Sequence, residues 1–186
     1  MDETIFLRNW DLSEAQLNRI IASQWDFQQA LSALTFLLEE CDFDAAYSRI
    51  QLRKFRCYET TVIVSFARPF EASRGKTVLG LKNIGLSLSS AEKELKARLM
   101  GLRRQVIAHS DEDAMHFRGT VLFPFDDSPL ALPLLRFQET LYLDREELRP
   151  LEALLRRLMQ GITSSLFALA QSQPARLDVY KAPNLN

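Results

Sequence analysis

Residues 95–111 read LKARLMGLRRQVIAHSD. Leu95, Leu99, Leu102 and Val106 recur at spacings of four, three and four, one face of a helix, and His109 extends the series by three. Arg103 and Arg104 lie on the same segment, and Ser110-Asp111 follow. A fixed cation, a titratable imidazole and a helix end therefore fall within one short stretch. No other part of the chain concentrates chemistry in this way. Upstream, Ser89-Ser90-Ala91-Glu92 has the form of a helix start, and Asp111-Glu112-Asp113 closes the helix off.

The preceding chain predicts two more long helices. Ser13-Glu14-Ala15-Gln16 is a capping box, with Leu12 and Leu17 placed as a hydrophobic staple. The first helix runs from about Glu14 to Glu40. Its stripe is Leu17, Ile20, Gln24, Phe27, Leu31, Leu34 and Leu38, widened by Ile21, Trp25 and Leu37. Asp42 or Asp44 then caps a second helix ending near Ala67, where Arg68-Pro69 stops it. Phe43, Ala46, Tyr47, Ile50, Cys57, Tyr58, Thr61, Val62 and Phe66 read as its inner face, with Glu59 beside Tyr58. A very short link makes the two an antiparallel pair. Residues 69–88 form a long loop holding Arg74, Lys76 and Lys82 and three glycines, with room for one helical turn.

Beyond the opening stretch the period changes. Phe117, Val121 and Phe123 alternate with Arg118, Thr120 and Leu122. After a loop from Pro124 to Pro133, Leu135, Phe137, Leu141 and Leu143 alternate with Arg136, Gln138, Thr140 and Tyr142. Two such runs read as a β-hairpin. Asp144-Arg145-Glu146-Glu147 caps a last helix, with Pro150 near its start and an inner stripe of Leu151, Leu154, Leu155, Leu158, Ile162, Leu166 and Leu169. The expected fold is mostly α: an up-and-down four-helix bundle with a small β-hairpin insertion, at about residues 115–143, between helices three and four. One domain spans 1–170, and 171–186 form a tail.

Composition narrows the classes. The hydrophobic content of 47% is enough for a real core, and the net charge of −1 disfavours a non-specific, strongly basic nucleic-acid binder without excluding a local basic patch. Cys41 and Cys57 are too few for a disulfide scaffold and read as buried small hydrophobes. No Cys/His spacing suits zinc, and no glycine-rich phosphate loop occurs, so neither metal nor cofactor is expected. Without a signal peptide or an apolar run near 18 residues, the chain reads as cytoplasmic, with no membrane partner.

Three long helices, a short insertion and a fourth helix, with Arg104-Gln-Val-Ile-Ala-His109 at the end of the third, resemble the HEPN superfamily, named for higher-eukaryote and prokaryote nucleotide-binding domains. Its hallmark is an arginine, four to six residues, then a histidine. Arg104 gives a spacing of four and Arg103 one of five. The chain departs from that pattern at Gln105, where nuclease members often carry Asn or Asp, and at Asp111, where some carry a modifiable tyrosine.

The resemblance implies a metal-independent ribonuclease acting on RNA through the ribose 2′-OH, in a homodimer whose two motifs face one groove. It further implies a toxin or defence role, with a cognate antitoxin or regulatory protein as a further partner. His109 becomes the acid/base and Arg104 the ligand of the scissile phosphate. Gln105, Glu59 and Arg103 take supporting roles. The residue types suit that chemistry: histidine titrates near neutrality, and arginine is always charged and shaped for phosphate oxygens. Plainer roles stand beside these. His109 can be a core histidine at a helix C-terminus, the two arginines a solvated face, and Glu59 a partner of Arg56. His116 reads as a solvated strand residue. The alternative function is an inert helical module that binds a protein partner or a nucleotide. In a regular helix, residues five apart point about 140° away from each other, so Arg104 and His109 converge only where the winding loosens.

Overall fold

The computed structural model describes residues 12–72, 77–104, 117–125, 129–137 and 140–178. It is mostly helical, with α1 at Glu14–Glu40, α2 at Arg49–Ala67, α3 at Ser90–Leu102 and α4 at Arg145–Ser172. Strands β1 (Phe117–Leu122) and β2 (Leu132–Phe137) form a two-stranded antiparallel sheet between α3 and α4. Among the described residues no helix is long and apolar enough to cross a membrane.

Local signals account for most helix starts. The Ser13–Gln16 and Ser89–Glu92 capping boxes both form, each serine oxygen taking the amide three residues on while the third side chain returns to the serine N–H. At α4, Glu147 accepts from the Asp144 N–H at 2.9 Å. The start of α2 differs from expectation. Asp42 accepts from the Asp44 N–H at 3.0 Å, a local turn, and Ser48 caps the helix through a box with Gln51. The link between α1 and α2 is therefore eight residues, 41–48, not a tight turn.

The helices nevertheless run antiparallel. Phe27 meets Phe66, Phe36 meets Tyr58, and Lys54 pairs with Glu40, so α2 descends as α1 ascends. Arg19, near the start of α1, donates to the Arg68 carbonyl beyond the end of α2 and to the Pro69 carbonyl at 3.3 Å. These two carbonyls also accept the Glu71 N–H at 3.4 Å and the Leu79 N–H at 2.7 Å, and they gain a cationic donor just beyond the helix end. Arg157 to Glu92 and Arg98 to Glu147 set α3 antiparallel to α4.

The core lies where α1 packs on both α2 and α4. On α1 the buried line is Leu17, Ile20, Ser23, Phe27, Ala30, Ala33, Leu34 and Leu37, so small residues let its neighbours approach. Trp25, expected inside, is 63% exposed, because it lies two residues and about 200° from Phe27. The same shift applies on α2. Phe55, Glu59, Val62, Ile63 and Phe66 are buried, while Ile50, Cys57 and Thr61 are exposed. Cys41 is half-buried, so neither thiol is the core hydrophobe expected. The α4 stripe is as predicted, with only Leu166 partly open.

The two strands pair Phe117 with Phe137, Arg118 with Arg136 and Val121 with Pro133. Pro133 therefore belongs to a strand, not to the loop. Leu141 and Leu143, expected to continue the second strand, lie beyond it, and Leu143 is buried in the core beside the start of α4. Phe117, Val121, Leu135 and Phe137 share one face of the ribbon and are all about half exposed or more. α4 continues to Ser172, past the expected boundary at residue 170. Arg176, in the following 3₁₀ turn, donates to the Leu12 carbonyl.

The loop before α3 folds onto α4. Its 3₁₀ turn, Leu81–Ile84, ends at Gly85 in the left-handed region (φ 71°), where a side chain would be strained. Gly161 on α4 receives it: a Cβ there would stand 2.8 Å from Leu86 Cδ1 and 2.9 Å from the Ile84 carbonyl oxygen. Helix propensity alone favours Gly161→Ala by about 1 kcal/mol. The close backbone oxygen reverses that sign, and we expect a net loss of about 1–3 kcal/mol, read as a lower denaturation midpoint. A raised midpoint would mean that the loop yields.

Candidate anion-binding site at the end of α3

Sequence and fold together lead to the last turn of α3. At Arg103 and Arg104 the backbone widens to π-type winding, and the Arg103 N–H is shared between the Leu99 and Met100 carbonyls. Such widening is frequent at functional positions. His109 and Gln105 themselves lie outside the described residues, as does His116.

The two arginines have different surroundings. Arg103 Nε pairs with Glu71 Oε2 at 3.0 Å, tying the helix end to the loop after α2. Arg104 is exposed, and its Nε donates to the Met100 carbonyl one turn back at 3.2 Å. No described carboxylate pairs with it. Its guanidinium is thus oriented by its own helix and, among the described residues, meets no anionic group.

Arg104 also lines a cavity of about 670 Å³ between α3 and the loop folded onto α4. The apolar walls are Phe70, Leu81, Leu86, Leu88 and Met100. Among the described residues the charged groups are Lys82, Lys93, Lys96 and Arg104, and none of the lining side chains is acidic. Lys96 Nζ stands over the Phe70 ring, 4.0 Å from its centroid, and burial pulls its ammonium below the usual lysine range. A volume of this size, with apolar walls and convergent charge, suits an organic anion.

Compared with models of protein families, with curated proteins and with solved structures, the chain matches none. The chemistry of the site therefore rests on its own residues.

Glu59 stands elsewhere. It is 1% exposed, and its Oε1 accepts the backbone N–H of Tyr142 at 2.6 Å and of Leu143 at 2.7 Å. Oε2 is buried with no described partner. Burial pushes this carboxyl up to about 7, against the opposing pull of the two amides, Arg56 and Arg98. Arg56 does not bond to it directly. It donates to the Thr140 carbonyl at 2.9 Å and lies over the Tyr142 ring. Arg98 holds the same segment through the Tyr142 carbonyl at 2.7 Å. Glu59 is accordingly an anchor for the chain entering α4 and is not part of the cavity lining. Among the described residues no group of three His, Cys, Asp or Glu side chains is placed to hold a metal ion.

Lys93, Lys96 and Phe70 were not singled out from the sequence. A signal existed: Lys93, Lys96, Met100 and Arg104 follow at spacings of three, four and four, one face of α3. That face lies beside the apolar stripe of the same helix and reads locally as a solvated one. Phe70 and the loop that closes the other side carry no such pattern.

Proposed function

We propose that the chain is a metal-independent endoribonuclease of HEPN type, built as an up-and-down four-helix bundle with the β-ribbon as an insertion. The observation that supports the reading is Arg104, unpaired by any described carboxylate at the widened end of α3, on a cavity whose described charged groups are all cationic. In this reading a phosphodiester lies on Arg104, and His109, five residues on, works on its protons. One histidine takes the proton of the ribose 2′-OH as that oxygen bonds to phosphorus. The bond to the 5′-oxygen breaks, and that oxygen takes a proton from a second histidine. The products are a 2′,3′-cyclic phosphate and a 5′-hydroxyl. In this proposal His109 of each of two copies fills one of these roles, so a homodimer with the two motifs facing one groove is part of it. A toxin or defence role, under an antitoxin or other regulatory protein, accompanies it.

The exposed apolar face of the ribbon favours a second reading, a catalytically inert module that docks a protein partner. Cleavage of single-stranded RNA by the purified chain in EDTA, with analysis of the product ends, separates the two. Cleavage giving cyclic phosphate ends supports the enzyme. A folded, dimeric protein that cleaves no RNA leaves the module.

A further inference from the structure

We propose that the cavity beside Arg104 seats one unstacked nucleotide of a single-stranded RNA, with its base against the Leu86, Leu88 and Met100 wall and its phosphate among Arg104, Lys93 and Lys96. The inference rests on RNA being the ligand, as proposed above, and names the form of RNA that the site accepts.

The argument begins with the lining. An apolar wall and a rim whose described charges are all cationic match a ligand that is itself divided into a flat, weakly polar body and an anion, as a nucleotide is. A duplex cannot satisfy this, because its bases are stacked and paired and only its phosphates are presented. A single strand can turn one base out, and apolar or aromatic contact with that base contributes to binding without reading its edge. Polar groups that could read an edge are few here. Among the described lining residues Ser87 has the only uncharged polar side chain, and its backbone carbonyl accepts from Arg157 at 2.8 Å. The site therefore selects for strandedness far more than for base identity. Lys82 and Lys93 are exposed, so the rim is open for the strand to continue on either side.

The test is binding of a fluorescein-labelled twelve-nucleotide oligouridylate to the full-length His109→Ala protein in EDTA, against three competitors. These are a perfect RNA duplex of equal length, the same strand with abasic ribose at every position, and free uridine monophosphate. The single strand is expected to bind about tenfold or more tightly than the abasic strand. Duplex and monophosphate should compete weakly. Lys96→Ala should weaken binding and lower the salt slope by about one. Ala97→Glu, at an exposed position of α3 that lines the cavity, adds a carboxylate without touching the core and should weaken binding at least as much. Circular dichroism of both variants shows that the fold is kept.

Equal affinity for duplex or abasic strand overturns the inference, as does indifference to both substitutions. Monophosphate bound as tightly as the strand makes the cavity a free-nucleotide site and overturns it too. Cleavage by the unsubstituted protein, measured in parallel, separates this inference from the ribonuclease reading. Cleavage with no dependence on Ala97→Glu or on the base removes the cavity inference alone. The expected binding pattern without cleavage removes the enzyme alone.

Discussion

Arg104→Ala is expected to lower RNA cleavage by about a hundredfold to a thousandfold, the usual cost of removing one positioned donor from a transition state that gains charge. His109→Ala should cost a comparable or larger factor, on the order of 10²–10⁴, because it removes proton transfer in both directions. Arg104→Lys keeps the charge but loses the fork that grips two phosphate oxygens, so it should recover only part of the rate. Arg103→Ala decides which of the two spacings is used. Arg103 is already engaged by Glu71 at 3.0 Å, whereas among the described residues Arg104 bonds to a helix carbonyl. Its loss removes a partly exposed ion pair, with a stability effect of about 0–1 kcal/mol, and should leave most of the cleavage. Single-turnover rates on one labelled RNA give all four values. If Arg103→Ala proves as damaging as Arg104→Ala, the assignment of the phosphate to Arg104 is wrong. Full activity in Arg104→Ala would end the proposed mechanism.

The second large effect concerns Glu59. Glu59→Ala leaves the backbone N–H groups of Tyr142 and Leu143 without their acceptor, at a cost of about 1–3 kcal/mol for the buried Leu143 amide and less for the part-buried Tyr142 amide. A total near 3 kcal/mol corresponds to a melting point lower by roughly 6–12 °C for a chain of this size. Glu59→Gln keeps an acceptor oxygen in the same place and removes the charge. Its effect depends on pH, with a definite sign. Burial raises the folded carboxyl from 4.5 to about 7, so the folded state binds the proton more readily than the unfolded chain. The protein is then most stable below the unfolded value. It loses stability as pH rises between 4.5 and 7, and the loss is complete above 7. Glu59→Gln should abolish this slope and be more stable than the parent at pH 8, by on the order of 1–3 kcal/mol. Urea unfolding at pH 5 and pH 8 reads both effects, and amide exchange at Tyr142 and Leu143 localises the first. A Gln variant as unstable as the Ala variant at pH 8 would mean that the carboxylate charge itself holds the segment.

Sequence alone determined what neighbours within four residues can encode. The Ser13 and Ser89 boxes, the leucine stripe of α4 and the alternation around Phe117 each report a local backbone choice, and each appears in the fold. The misreadings have the same local origin. Asp42 and Asp44 are as competent as Ser48 to cap a helix, and only the packed chain decides that Asp42 closes a turn instead. Trp25 and Ile50 are as apolar as their buried neighbours, and which side of a helix is inside depends on where the other helices lie. The candidate site divides in the same way. The arginines and the histidine were legible as a motif. Which arginine is open depended on Glu71, more than thirty residues away in sequence. Glu59 became an anchor through amides 83 and 84 residues downstream. The cavity exists because the loop before α3 closes against Gly161 of α4. Contacts between elements so far apart leave no period and no cap in the chain, so burial, the pairing of Arg103 and the cavity beside Arg104 were settled by tertiary packing alone.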